Sequence, residues 1–196
     1  MQHNPSHLDI AVSFFTNETS KLPTLKFKGA KLKSINVEEI KKSNSTSPSE
    51  IRAANFSNNL IDEVPASFFT TYSQITRLYL ENNYIFKLPP EIGNLTNLQT
   101  LALNNNILTF IPSSISKLQH LTSLLLHNNK LVALPIELCK LKELKRLSLH
   151  NNRFEKLPSI FHMFKDLREV SIQWFAYLTP PLKRLVKNEG NGTERS

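Results

Sequence analysis

One apolar pattern returns every 23 residues through most of this chain, and no other feature restricts its folding as strongly. Starting at Ile75, apolar side chains stand at Leu78 and Leu80, followed by Asn83, Ile85, Leu88-Pro89, Ile92 and Leu95. The same roles recur at Leu98, Leu101, Leu103, Asn106, Leu108 and Ile111-Pro112, and again at Leu121, Leu124, Leu126, Asn129, Leu131 and Leu134-Pro135. A further copy runs through Leu144, Leu147, Leu149, Asn152, Phe154 and Leu157-Pro158, and a last one begins at Leu167 with Val170, Ile172 and Pro181 but with Phe175 at the Asn position. One earlier copy, Ile51, Ala54, Phe56, Asn59, Ile61 and Val64-Pro65, precedes Ile75 by 24 residues. Before it Leu22, Leu25, Phe27, Ala30, Leu32 and Ile35 keep the spacing without the Asn, and the polar stretch 41–49 breaks the register.

The Leu-X-Leu step has the two-residue period of a strand, so both leucines point to one face and the residue between them to the other. A single rung cannot bury its leucines, whereas stacked rungs build a continuous core. The Asn ends the strand, and its amide both donates and accepts, so Asn59, Asn83, Asn106, Asn129 and Asn152 are expected to form a buried structural column. Pro65, Pro89, Pro112, Pro135 and Pro158 lack a donor and pre-set φ, which suits the chain's turn onto an irregular or short-helical opposite face. Terminal rungs expose core and need covers. Residues 1–50 are read as an N-terminal cap with one degenerate repeat, and 51–181 as about six repeats. The bulky run Trp174-Phe175-Ala176-Tyr177-Leu178, a capping helix bearing Leu182, Leu185 and Val186, and a disordered tail complete the expected C-terminus to residue 196.

These residues resemble the leucine-rich repeat family in its 23-residue Leu-Pro form, strongly over 51–181 and weakly over 22–50. The resemblance implies an α/β solenoid, a curved right-handed superhelix with short parallel strands on the concave face. It also implies a protein-binding scaffold rather than an enzyme, with the partner on the strand face. The segment Leu-Pro-Pro-Glu-Ile-Gly-Asn-Leu-Thr-Asn-Leu at 88–98 and its echoes are most similar to Ras-group intracellular scaffolds. That similarity implies a small GTPase or a signalling enzyme as partner. Its residues are scaffold positions and bring no binding surface with them.

Alternation then assigns the concave columns. The column before the middle leucine reads Ala53, Arg77, Thr100, Ser123, Arg146, Glu169, and the column after it Asn55, Tyr79, Ala102, Leu125, Ser148, Ser171. The next holds Ser57, Glu81, Asn104, His127, His150, Gln173, and a fourth Asn58, Asn82, Asn105, Asn128, Asn151, Trp174. Candidate partner contacts are Arg77, Tyr79, Glu81, Asn104, Leu125, His127, Arg146 and His150. Tyr79 and Leu125 serve as apolar anchors and the two arginines as charged ones, since Tyr and Arg are enriched in binding hot spots. Arg77 and Glu81 are close enough in sequence to form a surface pair of small energetic weight. His127 and His150 share a column on adjacent rungs, so their rings are expected within about 5 Å. Neighbours Asn104 and Gln173 are poor zinc ligands, and no metal site is expected there.

Composition excludes other classes. Only 4 glycines occur, and neither a phosphate-cradling Gly-rich loop nor a Gly-X-Ser-X-Gly elbow is present, so no cofactor, small-molecule substrate or catalytic centre is expected. The single Cys139 has no nearby His and can staple nothing, which favours an inert thiol in a reducing, cytoplasmic setting. No signal-peptide pattern and no run of about 18 apolar residues appears. Asn-X-Ser/Thr sequons start at Asn17, Asn44, Asn55, Asn94 and Asn191, as an Asn- and Ser-rich chain yields by chance. The net charge of +8 is shared among all parts of the sequence. Basic clusters at Lys26, Lys28, Lys31, Lys33 and at Lys140, Lys142, Lys145, Arg153, Lys156 leave nucleic-acid or anionic-membrane binding as the alternative. A recognition subunit of a larger enzyme complex is another. A monomer is expected.

Overall fold

The structure is a computed structural model that describes residues 22–155, 159–164 and 167–171. Each repeat contributes one three-residue strand: β1 (Thr24–Lys26), β2 (Ala53–Asn55), β3 (Arg77–Tyr79), β4 (Thr100–Ala102), β5 (Ser123–Leu125), β6 (Arg146–Ser148) and β7 (Glu169–Ser171). They form one sheet in sequence order with every neighbour parallel. The middle apolar residues align in one row, Leu25, Ala54, Leu78, Leu101, Leu124, Leu147 and Val170, all buried. The fold is thus the expected α/β solenoid, with the degenerate stretch after Leu22 supplying its first strand. Leu157-Pro158, the C-terminal residues from Ile172 onward and everything before Leu22 lie outside the described residues, as does the expected capping helix.

The opposite face returns through short helical turns. Four of them, Pro90–Asn94, Ser113–Lys117, Ile136–Lys140 and Ser159–Met163, are 3-10. The 24-residue repeat places its extra residue here: Pro65 stands ten residues before Ile75, whereas Pro89 stands nine before Leu98. That residue lets α2 (Ala66–Thr71) close as an α-helix, with the Tyr72 amide donating to the Phe68 carbonyl. The preceding α1 (Val37–Ser43) is capped by the Asn36 side chain, which accepts from the Glu39 amide. In the 23-residue repeats the turns tighten to three-residue bonds, such as Leu95 to Ile92 and Leu118 to Ile115. Gly93 is required where these turns press together, because an added Cβ would lie 2.9 Å from the Ser114 carbonyl oxygen.

Bulk concentrates at the N-terminal rungs. Phe27 stacks on Phe56 at 4.9 Å, and Phe56, Phe68, Phe69 and Tyr72 continue the aromatic cluster beneath α2. The Tyr72 hydroxyl is buried there without a hydrogen-bond partner. Burial, with Glu38 adding to it, pushes the phenol up to about 12.

Two asparagines per repeat hold successive rungs together. The Asn106 amide donates to the carbonyls of Leu80 on the preceding rung and Leu103 on its own, and its oxygen accepts from the Ile85 amide. Asn59, Asn83, Asn129 and Asn152 repeat this arrangement. Each therefore satisfies the rung before it. At β1, the first strand among the described residues, Ala30 holds this position. The adjoining Asn58, Asn82, Asn105, Asn128 and Asn151 all adopt positive φ, between 54° and 57°. Asn tolerates this region better than most residues, and on the first rung Gly29 takes the place at φ 69°. Their amides form a ladder of their own, for example Asn105 Nδ2 to Asn82 Oδ1 at 2.7 Å and Asn151 to Asn128 at 2.7 Å.

Asn106→Ala leaves the Ile85 amide unpaired in the core and takes one of two donors from each of the Leu80 and Leu103 carbonyls, so it is expected to cost about 2 kcal/mol. Asn105→Gly keeps the left-handed backbone and should cost about 1 kcal/mol. Urea unfolding of the two variants would measure the difference. Tyr72→Phe removes a buried hydroxyl that bonds to nothing, so it is expected to raise stability by about 1 kcal/mol in the same measurement.

Candidate functional site

The register places the predicted concave residues side by side on the outer face of the sheet. Ala53, Arg77, Thr100, Ser123, Arg146 and Glu169 are direct cross-strand neighbours, as are Asn55, Tyr79, Ala102, Leu125, Ser148 and Ser171. β1 extends both rows with Thr24 and Lys26. Tyr79 and Leu125 are half-buried on either side of the covered Ala102, and the almost fully covered Ser123 and Ser148 adjoin Leu125 on β5 and β6. The centre of the face is therefore a shallow floor with backbone close beneath it, framed by larger side chains.

The charged candidates have unequal surroundings. Arg146 is tied across the strands, its Nε donating to Glu169 Oε2 at 3.0 Å. Arg77 makes no ion pair with Glu81, contrary to the pair considered from sequence. Glu81 instead turns its carboxylate back: one oxygen, Oε2, is buried without a hydrogen-bond partner. Burial pushes this carboxyl above its ordinary range, against the opposing pull of its own backbone amide and of Lys28. The fold thus raises the proton affinity of Glu81 on this face. Asn104 stands half-buried beside it on the next rung, its carbonyl accepting from the Asn82 amide.

His127 and His150 meet as expected, with ring centroids 4.5 Å apart and planes within 16° of parallel. Each ring spends Nδ1 on a serine of the following rung, His127 on Ser148 Oγ and His150 on Ser171 Oγ, both at 2.6 Å. Among the described residues no group of three or more His, Cys, Asp or Glu side chains gathers closely enough to hold a metal ion. The pair is consequently a polar shelf beside Leu125. Cys139 is a free, half-buried thiol on the opposite side of the molecule.

A family model described as a leucine-rich repeat region matches residues 61–188. The chain belongs to the leucine-rich repeat family. No curated relative matches it. Among solved structures it is similar to a leucine-rich repeat protein of Leptospira interrogans, at 29% identity and a TM-score of 0.66, over 75% of this chain and 42% of that one. It is similar to an internalin C2 of Listeria monocytogenes at 25% identity and TM-score 0.60, covering 72% of this chain and 57% of that one. A plant peptide hormone receptor, RGFR1 in complex with RGF2, aligns at 28% identity and TM-score 0.62, over 76% of this chain and 24% of the receptor. The chain spans less than two thirds of the length of each of these proteins. No helix among the described residues is long and apolar enough to cross a membrane.

Two features of the leucine-rich repeat surface escaped the reading by alternation. The fourth column, counted as concave surface, is the left-handed asparagine ladder, so its side chains are committed to one another. Beyond that ladder the exposed apolar residues cluster on the flank, with Tyr84 55% and Phe110 52% exposed and Leu60, Phe86 and Val132 also open. Lys87 lies 5.1 Å over the Phe86 ring and pairs with Glu63 on the rung before. The signal was present as aromatics at positions where the repeat demands none, one to four residues after the buried Asn.

Glu81 provides a pH signature. Its carboxyl holds a proton more tightly folded than unfolded, so folding takes up a proton between the ordinary and the raised value. Stability from this group is therefore lost as pH rises through that window. Glu81→Gln should melt at a higher temperature than the parent at pH 7, and the gain should vanish below about pH 4, where both states are protonated. Thermal melts across that range test this.

Proposed function

We propose that the chain is a binding scaffold that holds a partner protein across the strand face of its leucine-rich repeats and carries out no chemistry of its own. One observation carries this reading. Tyr79 and Leu125 stand on either side of the covered Ala102, with the covered Ser123 and Ser148 beside Leu125 in the same sheet, so another backbone can approach closely while two apolar side chains anchor it. Arg77, Glu81, Asn104, His127, Arg146 and His150 surround that floor with polar groups, as a polar rim surrounds an interface centre. Membership of the leucine-rich repeat family supports a protein partner. The receptor among the similar structures was solved in complex with RGF2, which is consistent with the same use of the fold.

The resemblance of 88–98 to Ras-group scaffolds favours a place in small-GTPase signalling, with a small GTPase or a signalling enzyme as partner. A lone thiol and rungs closed by asparagine rather than disulfides favour a cytoplasmic setting and a monomeric scaffold. A partner reaching over the asparagine ladder would also meet the exposed Tyr84 and Phe86 on the flank.

Tagged protein recovered from cells and analysed by mass spectrometry should retain at least one protein that Tyr79→Ala combined with Arg146→Ala releases. Loss of about 2 kcal/mol at one such anchor lowers affinity about thirtyfold, enough to empty the captured fraction. Retention of every captured protein by that double variant would place the binding surface elsewhere.

A further inference from the structure

We propose that the occupant of the strand face is an extended acidic segment of a protein, lying across the strands with carboxylates towards both ends and small or apolar side chains at its middle. This rests on the protein-binding reading above and specifies its partner's chemistry.

The two faces of the fold differ in charge. The helical segments of the opposite face hold five glutamates, Glu38, Glu39, Glu50, Glu91 and Glu137, against the four lysines Lys41, Lys42, Lys117 and Lys140. The strand face is biased the other way. Lys26, Lys28 and Arg77 stand on or beside β1 and β3, and Arg146 stands on β6. Two carboxylates oppose these four cations. Glu169 is already tied to Arg146, and Glu81 is drawn towards its neutral form by burial. A positive excess thus remains on the face where the family reading places a partner, and an acidic partner is complementary to it.

The cations stand on either side of a neutral waist. β4 and β5 present Thr100, Ala102, Asn104, Ser123, Leu125 and His127, with no lysine or arginine. At ~4.8 Å per strand, the step from Arg77 to Arg146 is ~14 Å and the full width from β1 to β7 is ~29 Å. An extended chain at ~3.3 Å per residue crosses the first distance in about four residues and the second in about nine. The covered Ala102, Ser123 and Ser148 leave room for its backbone, and Leu125 offers a contact for one apolar side chain. Arg146 is more than half exposed, so its bond to Glu169 is weak and an incoming carboxylate can displace it.

This arrangement fits a segment with clustered acids better than a nucleic acid. A phosphate backbone carries charge at every step and needs a continuous basic track. Here the waist, with no lysine or arginine on β4 or β5, interrupts the track.

The test uses fluorescein-labelled nonapeptide pools with randomised uncharged centres and ends of Asp/Glu, of Gln/Ser, or of Lys/Arg. Oligothymidylate and phosphatidylserine vesicles serve as non-protein polyanions. Anisotropy at about 0.05 M and about 0.15 M salt should show the acid-ended pool binding at least about tenfold more tightly than the Gln/Ser pool, and weakening with salt. Lys28→Glu with Arg77→Glu should remove at least about tenfold of that affinity, whereas Lys140→Glu with Lys142→Glu on the opposite face should change it less than about twofold. Unchanged circular dichroism and melting temperature show that both double variants fold; should Arg77→Glu disturb folding, Arg77→Gln with Lys28→Gln provides the same comparison with a smaller expected loss. Equal binding of the acid-ended and Gln/Ser pools would overturn the proposal. So would equal loss from the two charge-reversed variants, or tighter binding of oligothymidylate or vesicles than of the acidic pool. If the proposal fails in these ways while Tyr79→Ala with Arg146→Ala still releases a captured protein, the scaffold reading stands and only the acidic partner falls. If that capture is also unaffected, the strand face itself is the wrong surface.

Discussion

Everything in this molecule depends on the buried side-chain amide that joins one rung to the next. A three-residue strand gives too few ladder bonds to fix a rung by itself, and the turn that follows it would leave backbone groups unpaired inside the core. The asparagines at 59, 83, 106, 129 and 152 resolve this by accepting from an amide of the preceding rung and donating to carbonyls of both. No apolar residue supplies both functions, and a longer polar side chain would not fit the same turn. The leucine core provides the bulk of the stabilisation, but the amides set the rotation and spacing at which the leucines meet. Each amide serves the rung behind it, and at the first described rung Ala30 stands where the pattern would place one.

The same repetition determines what the surface can offer. Side chains on the strand face align across rungs, so any feature that recurs becomes a row and any departure becomes a local site. Tyr79, Leu125 and the stacked His127 and His150 are such departures in rows made mainly of small or polar side chains. Rigidity makes them useful: a partner meets a fixed arrangement and spends little ordering energy on the scaffold side. Glu81 is the exception to this economy, since burying a carboxylate oxygen without a donor costs stability, and such unpaired groups in native structures call for an explanation in terms of function or strain.

Much of this was legible in the residues alone. The period of 23, the Leu-X-Leu strands, the buried asparagine column and the outward rows all follow from side-chain alternation and were read without coordinates. The single 24-residue repeat was visible too, although not that its extra residue would turn a 3-10 segment into α2. The second asparagine column was misjudged as open surface because alternation fails where φ turns positive, a change that a repeat template does not carry. The Arg77–Glu81 pair was misjudged because proximity in sequence does not say which way a half-buried carboxylate turns. The flank of Tyr84, Phe86 and Phe110 was passed over because it occupies positions where the repeat imposes no requirement.

By itself, then, the order of residues determined the architecture: periodic burial of leucines admits only a stack of parallel rungs, since no other arrangement removes all of them from water. It also determined which side chains share the strand face. Tertiary structure decided how those side chains are engaged: Arg146 held by Glu169, the imidazoles stacked and tied to serines, and one oxygen of Glu81 buried without a donor. The physical reason is distance. Burial patterns are encoded locally along the chain, whereas ion pairs, stacking and electric fields depend on residues some 23 positions apart that become neighbours only when the coil closes.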